Sequence, residues 1–202
     1  MKRLDEWCNL ASEKGIVSID CETTSTNPIE AEIVGFSMSF ENSQACYIPL
    51  KHAERKSEQI HLKEFVSRIR VILEDESILK IGQNIKYDFK IFLKYGIELK
   101  NFDDTMLLSY ALDAAINRHN LDLLAKIHLG HNNIKYKDIV GTGKSEITFD
   151  QVLIDNAYQY ACEDADITLK LYNLFKDRII NEKCFYVYEN LEIPLVNVLV
   201  RM

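Results

Sequence analysis

The run Gly15-Ile16-Val17-Ser18-Ile19-Asp20-Cys21-Glu22-Thr23-Thr24 constrains this chain most. An apolar strand here runs into two carboxylates one residue apart. Strand side chains alternate faces, so Val17, Ile19 and Cys21 point one way and Ser18, Asp20 and Glu22 the other. The first set reads as core. The second sets two acids side by side, about 7 Å apart along the backbone. Like charges at that spacing repel by about 2 kcal/mol at an effective dielectric of about 20. A cation between them removes the penalty, and hard oxygen ligands suit Mg²⁺ or Mn²⁺. Asp-x-Glu also occurs on solvated strand ends, so a metal site needs further ligands from elsewhere in the chain.

The surrounding pattern supplies an architecture. Residues 1–14 read as a lead-in helix with Leu4, Trp7, Cys8 and Ala11 on one side. After the first strand, Asn27-Pro28 marks a turn. Val34, Phe36, Met38 and Phe40 alternate with small residues in a second strand over about 31–41, and a third follows from Gln44 to Leu50. Short links make these an antiparallel meander. An amphipathic helix over about 58–75, a strand over 78–82, a helix over 85–95 ended by Gly96 and a short strand over 102–104 come next. Helices at about 105–114 and 121–129 precede an aperiodic stretch, 130–147, that reads as a loop or arm. Thr148-Phe149-Asp150-Gln151 has capping-box spacing and starts a long helix to about 178. A final helix over 184–202 breaks near Pro194. The expected fold class is α/β: a mixed five-stranded sheet, three antiparallel strands then parallel strands, flanked by helices.

Several function classes fall away. At 202 residues, 47% apolar and 27% charged, the chain can pack one core. It has no apolar run long enough to span a membrane and no N-terminal apolar stretch of the signal-peptide kind. Five scattered cysteines (Cys8, Cys21, Cys46, Cys162, Cys184) lack metal spacing and point to reduced thiols in the cytoplasm. A net charge of −7 argues against broad affinity for nucleic acid, though not against a nucleic-acid enzyme whose metal site is itself acidic.

Three stretches offer further ligands. In Gly82-Gln83-Asn84-Ile85-Lys86-Tyr87-Asp88, Asn84 is placed to cap a helix and Asp88 falls one turn inside it. In Tyr160-Ala161-Cys162-Glu163-Asp164, Tyr160 and Asp164 share a face of the long helix, while Glu163 and Asp166 look solvent-facing. Asp104 reads as a cap or a brace. Asp20, Glu22, Asp88 and Asp164 carry four negative charges, which two Mg²⁺ ions would neutralise. Two ions about 3.5–4 Å apart form the clamp used for in-line attack on a phosphodiester. Tyr160 stays protonated at neutral pH and is suited to orienting water.

The set Asp20-x-Glu22, Asn84-x-x-x-Asp88 and Tyr160-x-x-x-Asp164 resembles the tyrosine-type DEDD 3′–5′ exonucleases. Stretches similar to the proofreading domain of bacterial family-A DNA polymerases include Tyr47-Ile48-Pro49, Lys80-Ile81-Gly82-Gln83-Asn84 and Tyr95-Gly96-Ile97-Glu98-Leu99. Others are Asp104-Thr105-Met106-Leu107, Asn117-Arg118-His119-Asn120-Leu121-Asp122, Gly141-Thr142-Gly143-Lys144 and Ala161 to Leu169. The resemblance implies a ribonuclease-H-like fold and release of nucleoside 5′-monophosphates from a single-stranded DNA 3′ end. It implies that Asp20, Glu22 and Asp164 hold one Mg²⁺ or Mn²⁺ and Tyr160 steadies its water. Asp20 bridges to a second ion, which Asp88 reaches through water. Gln83, Asn84 and Tyr87 match positions that contact terminal nucleotides, Arg118 a basic residue near DNA, and Tyr136 an aromatic that stacks on a base. Thr23 falls in the same nucleotide-contacting group. Thr26 departs from the bulky apolar wedge usual there.

Residues 1–183 would form the exonuclease domain. Residues 184–202 resemble the entry to a polymerase domain, so the expected partners are a DNA 3′ end and a polymerase domain of the same longer chain. Self-association through an apolar patch on the last helix is a further expectation. The competing readings are an exoribonuclease of the ribonuclease D kind, with the same five residues, and an inert interdomain scaffold.

Overall fold

Alternation near the N-terminus becomes an antiparallel meander in the computed structural model, which describes residues 2–115 and 118–202. Helix α1 (Lys2–Lys14) leads into β1 (Ile16–Thr23), β2 (Ile33–Glu41) and β3 (Gln44–Pro49). Helix α2 (Leu62–Leu73), β4 (Leu79–Gly82), α3 (Ile85–Lys94) and β5 (Phe102–Asp104) follow. The sheet order is β3-β2-β1-β4-β5. β1 runs antiparallel to β2 and parallel to β4, and β5 is parallel to β4. This is the mixed, ribonuclease-H-like sheet expected above. Then come α4 (Thr105–Leu112), α5 (Leu121–Leu124), α6 (Tyr136–Val140), α7 (Ile154–Asn181), α8 (Phe185–Val187) and α9 (Ile193–Val200). Among the described residues no helix is long and apolar enough to cross a membrane.

The two faces of the sheet are covered differently. On one, Val17, Ile19 and Cys21 of β1 and Phe36 and Met38 of β2 meet Phe65, Ile69 and Ile72 of α2 and Phe92 of α3 in the main core. Each such side chain contributes about 1.5–3 kcal/mol of transfer free energy. On the other face the strands carry small residues: Ser18 pairs with Ser39, Asp20 with Ser37 and Glu22 with Gly35. Helix α7 crosses β1, β2 and β3 and buries Ala157, Ala161 and Ala165 at four-residue spacing. Small side chains on both sides let the helix come close. Ser18, Ser37 and Ser39 are consequently fully buried, so the polar face of β1 is covered rather than solvated.

Four local expectations are corrected. Thr148 does not cap α7: Phe149–Gln151 is a 3₁₀ turn, Thr148 makes no side-chain cap bond, and α7 starts at Ile154. Phe149 and Val152 are buried with Val34, Val140 and Ala157, and that packing holds the segment out of the helix. Ile154 N–H instead donates to the carboxylate of Glu54, from a distant loop. The final helix does not break near Pro194. A π turn at Tyr188–Glu192 runs continuously into α9, and Pro194 sits in the first turn of α9. Proline clashes with the carbonyl four residues back, here Asn190, and the wider π turn accommodates that ring. Glu163 and Asp166 do not face solvent. Glu163 accepts from Ile134 N–H at 2.6 Å and His131 Nε2 at 2.8 Å. Asp166 accepts from Ser43 N–H and Lys170 Nζ, both at 2.6 Å. The stretch 130–147 is therefore anchored, and it contains α6.

The last helix packs on the same body. Val196 and Val200 enter the main core, and Tyr188 Oη accepts from Asp104 N–H at 2.9 Å and donates to Asp103 Oδ1 at 2.8 Å.

Candidate active site

Strand β1 outruns β4. Their pairing ends at Ser18 and Ile81, so Asp20 to Glu22 extend past the sheet's parallel half. The backbone N–H of Cys21 then has no β4 partner, and Asp88 Oδ1 accepts it at 2.9 Å. Asp88 is placed there because β4 turns sharply into α3. Asn84 adopts a left-handed conformation with φ of 61°, and a Cβ on Gly82 would lie 2.8 Å from Ile85 Cγ1. Asn84 occupies the N-cap position, but its side chain makes no cap bond. Asp104 serves instead, accepting from Asn84 N–H and Ile85 N–H at 3.0 Å each. The same carboxylate caps α4 through Met106 N–H and Leu107 N–H. Asp104 is thus the brace that joins two helix N-termini, as its strand-end position implied.

Oxygens of Asp20, Glu22 and Asp164 all lie within 4.8 Å of one another. Glu22 is 6% exposed, and its Oε1 has no hydrogen-bond partner. Asp88 flanks this trio, 3% exposed and tied to the β1 backbone, without joining the converging oxygens. Burial pushes the Asp20 carboxyl up to about 6. Burial, then the charges of Asp20, Asp164 and Asp88, hold Glu22 well above the usual carboxylate range. Burial and Asp20 do the same to Asp88 and Asp164. An orphaned carboxylate oxygen amid three converging acids fits a divalent cation, whose charge would reverse each of these shifts.

Tyr160 lies one turn before Asp164 on α7. Burial first, then Asp164, Glu22 and Asp20, raise its phenol far above 10, so it remains a hydrogen-bond donor. Tyr136 and Phe149 stand beside it, with ring centroids at 6.1 Å from Tyr160 in each case. Glu22, Thr23, Thr26, Asn84, Tyr87 and Tyr136 line a cleft of about 300 Å³ at the acids. Tyr87 Oη contacts both Thr23 Oγ1 and the Ser25 carbonyl, fixing one wall.

Two expected contacts lie elsewhere. Gln83 donates from Nε2 to His119 O at 2.7 Å and accepts from Thr105 Oγ1 at 2.6 Å, which ties its amide into the protein. Arg118 lines a neighbouring recess, not the cleft; Asn117, in the same stretch, lies outside the described residues. Tyr47 received no role from the sequence, yet it sits behind Glu22. A Cβ on Gly35, the cross-strand partner of Glu22, would lie 1.9 Å from Tyr47 Oη. That phenol bonds His52 Nε2 at 2.6 Å, and His52 Nδ1 bonds Val152 O at 3.0 Å. The lone glycine in an otherwise continuous strand was the available signal.

A ribonuclease-H-like sheet whose first strand and two flanking helices bring carboxylates together defines a class of nucleases. The chain belongs to the 3′–5′ exonuclease family, whose model matches residues 1–180. It is 43% identical over 217 residues to DNA polymerase I of Rhizobium leguminosarum, and 37% identical over 203 residues to that of Pseudomonas aeruginosa. Each match covers 98% of this chain but only 21% and 22% of those relatives, so the chain spans about a fifth of their length. Among solved structures, Escherichia coli RNase D matches with a TM-score of 0.72 at 15% identity, over 98% of this chain and 48% of that one. Brucella melitensis NrnC matches with a TM-score of 0.69 at 19% identity, over 93% and 82%. At those identities the likeness is one of fold.

Proposed function

We propose that the chain hydrolyses the terminal phosphodiester of single-stranded or frayed DNA 3′ ends, releasing nucleoside 5′-monophosphates. It would do so as the proofreading unit of a longer DNA polymerase. The observation that carries this reading is the convergence of Asp20, Glu22 and Asp164 around an unpartnered carboxylate oxygen, in a chain of this family. Asp20, Glu22 and Asp164 would hold one divalent ion, and Asp20 with Asp88 a second. Such ions supply positive charge against the phosphate oxygens and make water easier to deprotonate.

The chain's own residues do the positioning. Protonated Tyr160 donates to the attacking water and orients it toward phosphorus, while the bond to the 3′-oxygen breaks on the opposite side. The Asp88 bond to Cys21 N–H fixes the outer carboxylate against β1. Asn84, with its amide uncommitted by any cap bond, and Tyr87 border the space for the terminal nucleotide. Tyr136 offers a face for base stacking. Thr26 adds little bulk, so the end is gripped by the walls rather than by a wedge. Residues 1–183 would be the catalytic unit. Exposed Leu191, Leu195 and Val198 on the last helix would face the rest of a longer chain.

The test is a time course on 5′-labelled and 3′-labelled DNA oligonucleotides with Mg²⁺ or Mn²⁺, with matched RNA alongside. Shortening of the 5′-labelled strand one nucleotide at a time, immediate release of the 3′ label and arrest by EDTA are expected. Faster cleavage of RNA would assign the ribonuclease D kind of substrate. Equal activity of wild type and Asp164→Ala would expose a contaminant and refute the assignment.

A further inference from the structure

A second recess lies outside the acid cluster. Arg118, Asn120, Asp122, Lys126, Asn133 and Lys135 wall a cavity of about 280 Å³. Three cations face one carboxylate here, in a chain whose net charge is −7. Among the described residues, Arg118, Lys126 and Lys135 form no ion pair. Asn133 is 7% exposed, yet neither its Oδ1 nor its Nδ2 has a hydrogen-bond partner. A buried amide left unmet is costly, and a hydrogen-bonding ligand in the recess would satisfy it.

The recess adjoins the acids through two short tethers. His119, next to Arg118, accepts from Gln83, the residue before Asn84. Ile134, between Asn133 and Lys135, donates to Glu163, the residue before Asp164. Asp122 is the one carboxylate on the wall, and Lys135 is close enough to act on it. Glu163, behind it, is already engaged by His131 and Ile134.

We propose that this recess is a phosphate pocket, in which Lys126 and Lys135 neutralise one backbone phosphodiester of the bound strand and Asn133 Nδ2 donates to its oxygen. The identity of the strand rests on the function proposed above; the pocket's chemistry does not. Phosphate contacts of this kind set register and affinity without reading sequence.

The experiment measures binding of the full chain to labelled single-stranded DNA of about 12 nucleotides in EDTA, across a range of salt. The readout is binding without metal, so it stands or falls apart from cleavage. Each phosphate neutralised contributes about 0.7 to the slope of log K against log salt for a single strand. Lys126→Ala with Lys135→Ala, both at exposed positions, is expected to lower the slope by about 0.7 and to leave the melting temperature unchanged. Asn133→Asp, of equal size, is expected to weaken binding at least tenfold by setting a second carboxylate on the wall. An unchanged slope in the lysine variant overturns the proposal. Binding of inorganic phosphate to wild type but not to that variant, with the strand's slope unchanged, overturns it in favour of a free-anion site.

Discussion

Replacing Asp20 by Asn should stabilise the metal-free protein. The three carboxylates converge within 4.8 Å, where two full charges repel by about 3.5 kcal/mol at an effective dielectric of about 20. Burial acts in the same direction: it raises Asp20 from 3.8 to about 6, favouring the protonated form. The sign follows from linkage. A carboxyl whose pKa is raised on folding binds its proton more tightly in the native state, so stability is full below the unfolded value and is lost as pH rises through the folded one. The rise of about two units costs the ionised protein about 3 kcal/mol above pH ~7 and almost nothing below pH ~4. Asn removes that cost and also lifts the charge that acts on Glu22, Asp88 and Asp164. An amide short of partners returns about 1 kcal/mol. At about 2–4 °C per kcal/mol for a chain of this size, melting in EDTA at pH 8 should rise by about 5 °C. The gap should close toward pH 4. Millimolar Mg²⁺ should stabilise wild type far more than the variant. A variant that melts below wild type in EDTA at pH 8, or a wild type indifferent to Mg²⁺, would show that the acids are not held apart from a cation and would refute the reasoning.

Tyr160→Phe should lower kcat about tenfold or more while Mg²⁺-dependent stabilisation persists; an unchanged kcat removes the phenol from the reaction. Asp104→Ala should cost about 2–4 kcal/mol in urea unfolding, since one carboxylate accepts from the N-termini of both α3 and α4; a loss below about 1 kcal/mol means that water replaces it. Gly35→Ala should cost about 2 kcal/mol or more, because the added Cβ meets Tyr47 Oη at 1.9 Å. Recovery in Gly35→Ala with Tyr47→Ala, read by the same unfolding curves, checks that the phenol is the obstacle.

The sheet was legible because period-two alternation in β1 and β2 and the short links between them leave little freedom in pairing. Periodicity placed Asp20, Glu22 and Asp164 each on a face of its own element, and the resemblance to the DEDD exonucleases implied that those faces meet. What escaped was set by contacts between distant segments. The Thr148 box carries the right local chemistry, but burial of Phe149 and Val152 outweighs a cap, and Glu54 supplies the acceptor for Ile154. Glu163 and Asp166 sit at polar spacing on α7, yet their partners are the N–H groups of Ile134 and Ser43, which periodicity on α7 cannot reveal. The continuity of the last helix through Pro194 depends on a π turn that widens its backbone. Gln83 looked free to meet a ligand because its bond to His119 joins segments far apart in sequence.

The central place of β1 in the sheet, with α7 arriving over it from late in the chain, orders events during synthesis. Asp20 and Glu22 leave the ribosome well before Asp164. A nascent or prematurely stopped chain therefore carries half a catalyst, unable to cut any strand it meets. Arrival of α7 is the safety catch on the blade.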